Sequence, residues 1–119
     1  MATLNASTFT SRVDAEHHYL TLIDEAAAKR RAIDTSQAEV YREKLTEALA
    51  GGGPRLTAEA AALDIDAETV LNGVLKNHEQ RQQHIHRIEL ARITAKAAVR
   101  NAANAAAMHR IYREYQEAL

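Results

Sequence analysis

Apolar positions along this chain recur at intervals of three and four, and two-residue alternation is nearly absent, so the pattern predicts helices throughout. Phe9, Val13, Leu20, Ile23 and Ala27 form one stripe at helical spacing. That stripe predicts a first helix opening near Ser7 or Thr8 and running to about Ile33, after which Asp34, Thr35 and Ser36 offer cap residues. A second helix, or a continuation past a kink, carries Val40, Tyr41, Leu45, Ala48 and Leu49. The run Gly51-Gly52-Gly53-Pro54 ends it, because glycine frees the backbone and proline lacks the donor that would extend the ladder. Thr57 with Ala58-Glu59-Ala60 opens a short helix that stops around Asp64, and Asp66 is a suitable cap for the next.

From Asp66 to Leu119 only Gly73 interrupts the helical pattern. That predicts a helix of about 50 residues, roughly 75 Å long, with Gly73 and residues 101–104 as the places for a kink or a stop. Its start is apolar (Val70, Leu71, Val74, Leu75) and its middle, KNHEQRQQHIHR over 76–87, is polar except for Ile85. Ile88, Ala91, Ala95, Ala98, Val99, Ala102 and Ala105 then form a stripe of mostly small residues, which lets helix axes approach closely. The predicted fold is all-α: an elongated helical hairpin or small helical bundle with a long C-terminal helix. An N-terminal helical segment (1–50), a Gly/Pro linker (51–55), and a short helix plus the long helix (56–119) make up one domain.

Composition narrows the picture. Apolar residues make up 46% of the 119 residues but aromatic ones only 4%, and alanine supplies much of the difference. Alanine removes little area from water, and burial is worth roughly 25 cal/mol per Å². A lone monomer is therefore expected to be marginal, which favours a homo-oligomer or a subunit of something larger. There is no cysteine for disulfide or thiolate chemistry. No apolar run approaches the ~20 residues that span a bilayer, and residues 1–10 lack a hydrophobic signal core. The expectation is a soluble chain in the cytoplasm with no membrane partner.

The net charge is −1, which argues against a generic nucleic-acid binder. Acids outnumber bases up to Glu68 and bases outnumber acids from Thr69 onward. Arg92, Lys96 and Arg100 lie at successive i,i+4 positions, where like charges repel. Either acids of the first two helices (Asp24, Glu25, Glu43, Glu47) offset that repulsion, or the three form a charged contact face for an anionic partner.

The stretch LTAEAAALDIDAETVLNGVL, residues 56–75, resembles a helix-turn-helix in outline. However, Asp64 stands where the turn glycine belongs, and the second helix would present Asp66, Glu68, Thr69 and Asn72 to the groove. Two acids there repel phosphate and no arginine is placed to read guanine, so an ordinary helix corner is the better reading. Of the histidines, His17 and His18 share helical spacing with Asp14, but His84 and His86 fall on different faces and no further ligand is near. No nucleophile elbow or phosphate-binding loop occurs, and Asp24 and Glu25 are adjacent carboxylates that diverge on a helix. No catalytic residue, metal or cofactor is expected.

Certain residues have a recurring layout. Ile23, Asp24 and Ala27 lead to Gln37, Tyr41 and Lys44; after the Gly/Pro break come Leu56, Glu59 and Ala60, then Ile88, Glu89, Arg92, Ala95 and Lys96. Over residues 22–106 this resembles small Ala-rich helical proteins of the tail and tail-fibre region of tailed bacteriophages, with Arg55 intruding between Pro54 and Leu56. The resemblance implies a non-enzymatic structural or assembly part in the host cytoplasm, incorporated in the virion or acting before it. Its partner would be itself or a tail protein. A helix-turn-helix-like DNA-binding regulator and a phage inhibitor of a host protein are the alternatives. Residues expected to carry packing or contact are Leu20, Ile23, Tyr41, Leu45, Ile88, Ala95 and Val99. Ile111, Tyr112 and Tyr115 form a candidate docking tip, since tyrosine is favoured at contact hot spots.

Overall fold

The helical periodicity is realised in a computed structural model that describes residues 9–32 and 35–119. These residues hold five helices and no strand: α1 (Arg12–Arg31), α2 (Thr35–Leu49), α3 (Pro54–Leu63), α4 (Ala67–Asn101) and α5 (Ala105–Ala118). The all-α expectation is met. The first helix opens later than its stripe predicted, because Ser11 caps it by accepting from the Asp14 amide at 3.1 Å. Ser7, Thr8, Ile33 and Asp34 lie outside the described residues.

The long C-terminal helix is shorter than predicted. It ends at Asn101, and α5 begins three residues after Ala102. Local and distant groups combine to stop it. Asn104, in extended conformation, caps α5 by accepting from the Ala107 amide at 2.9 Å. The Arg12 guanidinium, at the start of α1, donates to the carbonyls of Arg100 (2.7 Å), Ala102 (2.9 Å) and Val99 (3.4 Å). A helix C-terminus leaves carbonyls unpaired and carries partial negative charge, so a cation there satisfies both. Gly73 leaves α4 uninterrupted.

The chain divides into two compact units, Met1–Ala32 with Ile85–Leu119 and Ile33–His84, with α4 contributing to each. The first unit buries a row along α1, Ala15, Tyr19, Ile23 and Ala27. All but Ala27 join Ala95, Val99, Ala105, Met108 and Tyr115 in one cluster. Val13, expected on this row, is 67% exposed. The true row runs at strict four-residue spacing through Tyr19, a residue the apolar stripe passed over. The second unit packs Ala48, Leu56, Ala60, Val70 and Val74 together, with Leu71 and Leu75 against them. Val40 and Leu49 of α2 face outward instead.

Residues 50–53 are the turn between α2 and α3 inside the second unit. Gly51 and Gly52 take φ of 91° and 138°, and their amides close α2 onto the carbonyls of Ala48 and Glu47. Gly53 differs: its φ of −179° is open to any residue. As N-cap of α3 it has no side chain to offer, and Glu47 substitutes from α2. The Glu47 carboxylate accepts from the amides of Arg55 (2.9 Å) and Leu56 (3.1 Å). A Cβ on Gly53 would lie 2.5 Å from that carboxylate. At the other end of α3, Asp64 takes the left-handed conformation (φ 55°, ψ 48°), and the Ile65 amide bonds back to Ala60.

Glu47→Ala is expected to cost about 1 kcal/mol in urea unfolding. Gly53→Ala should cost a similar amount by displacing the carboxylate, and the double variant should cost clearly less than the sum; full additivity would disprove the shared cap. Asp64→Gly should stabilise the protein by about 0.5–1 kcal/mol, because glycine enters the left-handed region without steric cost.

Candidate interaction surface

Helix α1 places Asp24 one residue beyond buried Ile23, at the edge of the row it packs. α4 brings Arg92 and Lys96 to the same place, one turn apart. Asp24 Oδ1 accepts from Arg92 Nη1 at 2.8 Å, and Oδ2 from Lys96 Nζ at 3.0 Å. Arg92 also grips Glu89 of its own helix in a two-pronged pair, at 2.6 and 2.9 Å, and Arg31 approaches Glu89 at 3.6 Å. The repulsion predicted along this face is therefore offset inside the chain by Asp24. Arg100, the third member, is exposed and makes no such pair among the described residues.

The charges respond accordingly. Burial pushes the Asp24 carboxyl up, but hydrogen bonds and charge from Lys96 and Arg92 outweigh it and hold the group below its usual value. Glu89 is lowered chiefly by its hydrogen bond to Arg92, and Arg92 is raised chiefly by Glu89 and then Asp24. Burial raises Tyr19, Tyr112 and Tyr115.

The expected packing residues are mostly inside. Ile23, Ile88, Ala95 and Val99 are buried, and Leu20 is half-buried against the first cluster. Tyr41 and Leu45 are half-buried in the second unit. There the Tyr41 hydroxyl pairs with His78 Nδ1, and the Arg81 guanidinium lies 5.8 Å from the ring centre. The tyrosine-rich end does not project as a docking tip: Tyr115 is buried and donates to the Ile23 carbonyl at 3.2 Å, while Ile111 and Tyr112 pack on the same cluster. Sequence reasoning missed Tyr19, whose hydroxyl sits 3.1 Å from His109 Nδ1, and Arg12. Tyr19 was discoverable as the missing step of the row from Ala15 to Ile23; Arg12 had no local signal.

Among the described residues no three metal-ligating side chains converge, and no helix is long and apolar enough to cross a membrane. A cleft of about 360 Å³ beside the glycine turn is lined by Leu56, Thr57, Leu71 and Asn72, with Glu68 as its one ionisable group. Large apolar side chains also face outward: Val13, Leu90 and Ile93 in the first unit, and Val40, Leu49, Leu63 and Ile65 in the second. Comparison with family models, curated proteins and solved structures finds no match for the chain.

Asp24 gives a pH test. A carboxyl lowered in the folded state adds stability that is fully present above its unfolded value of about 4, and is lost as pH falls through the lower folded value. Urea unfolding between about pH 2.5 and 6 should show the wild type losing stability with acid more steeply than Asp24→Asn, with high salt narrowing the gap. Parallel profiles would mean the cluster adds nothing.

Proposed function

We propose that this chain is a non-enzymatic helical protein that works by protein–protein contact, as a structural or assembly part of a phage tail or tail fibre. The observation that supports contact is the outward placement of Leu49, Leu63, Leu90 and Ile93, while two of the three cations in the row that could have met nucleic acid, Arg92 and Lys96, are tied to Asp24. Single exposed apolar residues are ordinary, but several on the outer faces of a small helical chain are the usual material of helix-mediated contact. The tail assignment rests on the sequence layout alone. The partner is a second copy or a tail protein. The DNA-regulator reading gains nothing at the helix corner, where Glu68 occupies the first turn of α4.

Light scattering over a concentration series would read self-association. A photo-crosslinking residue at Leu63 or Ile93, in cells that make the protein, would read other partners. The expected result is one defined protein adduct, belonging to virion assembly. A monomer at every concentration with no protein adduct overturns the contact reading. An adduct unrelated to virion assembly overturns the tail assignment alone.

A further inference from the structure

The corners at either end of α3 are fixed by their own backbone: Gly51 and Gly52 take φ of 91° and 138°, and Asp64 takes φ of 55°. The corner between α4 and α5 is built differently. Residues 101–105 hold no glycine, no proline and no positive φ. Ala102 and Ala103, like Ala105, Ala106 and Ala107 after them, are of the type that favours helix most strongly. Besides the packing of α5, two contacts keep this corner bent. One is the Asn104 cap on the Ala107 amide, and the other is Arg12, which reaches from α1 to the carbonyls of Val99, Arg100 and Ala102. In an unbroken helix those three carbonyls would meet the amides of residues 103, 104 and 106 and need no guanidinium. The bend folds α5 back along α1: the Tyr19 hydroxyl meets His109, and Tyr115 donates to the Ile23 carbonyl, next to the Asp24 that holds Arg92 of α4.

We propose that residues 102–104 are a hinge: α4 and α5 open into one continuous helix, which lays α5 on α1 of a second copy while that copy's α5 is laid on the first. The packing already described sets the occupant. Met108 and Tyr115 of α5 are buried against a cluster that holds Tyr19 and Ile23 of α1, and every copy of this chain carries that same row. The exchanged pair remakes the α1–α5 contacts. Opening therefore trades the Arg12 grip and the Asn104 cap for unbroken ladder bonds, and exchange of an identical element is a low-cost route to a symmetric dimer. The inference stands apart from the contact reading above, because it covers none of the outward apolar residues.

The full chain has no cysteine, so Thr94→Cys with Arg113→Cys, both exposed, gives two clean sites for spin labels. The labels lie about 28 Å apart along a continuous helix and closer in the bent chain. Labelled chain diluted with unlabelled chain reads the distance within one chain, and light scattering over a concentration series after refolding reads the dimer. The wild type is expected to be mainly a bent monomer, with a dimer that grows with concentration and shows the long distance. Asn104→Ala and Arg12→Met should each lower the dimer Kd about tenfold, since each removes a support of the bent form at both hinges. Ala105→Pro should abolish the dimer, because proline suits the first position of α5 after an extended Asn104 but breaks a continuous helix. Ala103→Gly, exposed and outside both helices, should raise the dimer Kd about tenfold and serves if the proline disturbs the core. Circular dichroism checks that each variant stays folded. A monomer for every variant at millimolar concentration, or a dimer indifferent to Ala105→Pro and Ala103→Gly, overturns the proposal. A dimer that keeps the short distance overturns it too, while supporting the contact reading.

Discussion

The first unit depends on one row of α1, Ala15, Tyr19, Ile23 and Ala27, from which water is wholly excluded. In a chain with so little aromatic and so much alanine area, a core forms only where helices come close. The row sets two large side chains, Tyr19 and Ile23, between two alanines, and they fill what the alanines leave. Tyr19 contacts Tyr112 and His109 of α5, and Ile23 offers its carbonyl to Tyr115. Met108 completes the layer and has no exposed surface.

Polar groups fix what the small core leaves loose. Asp24 joins α1 to α4 through two cations, and Arg12 joins the start of α1 to the carbonyl end of α4. These contacts lie at the edge of the core, where both ends of each pair keep some water and the desolvation cost stays low. In the second unit Lys44 pairs with Glu59 at 2.7 Å, and Glu47 caps the neighbouring helix. Both units therefore use a carboxylate of one helix to complete another element.

The same economy shapes the outer surface. Arg92 and Lys96, which face α1, are neutralised by Asp24, while Arg100 has no ion pair among the described residues. Charge is thus sorted by helix face rather than concentrated in a pocket.

The helical class was legible because spacing of three and four is a local property, and so were the break at 51–54 and the corner at Asp64. The stop near residues 101–104 was visible as a possibility, since asparagine is a good cap. That it ended the helix was decided by tertiary structure, for Arg12 reaches its last carbonyls from far away in the sequence. The inward set of α4 was legible as an alanine stripe. Which of the basic residues would be neutralised was not, because that required knowing that Asp24 faces Arg92 and Lys96 but not Arg100. Periodicity fixes what shares a face of one helix; only packing decides what that face meets.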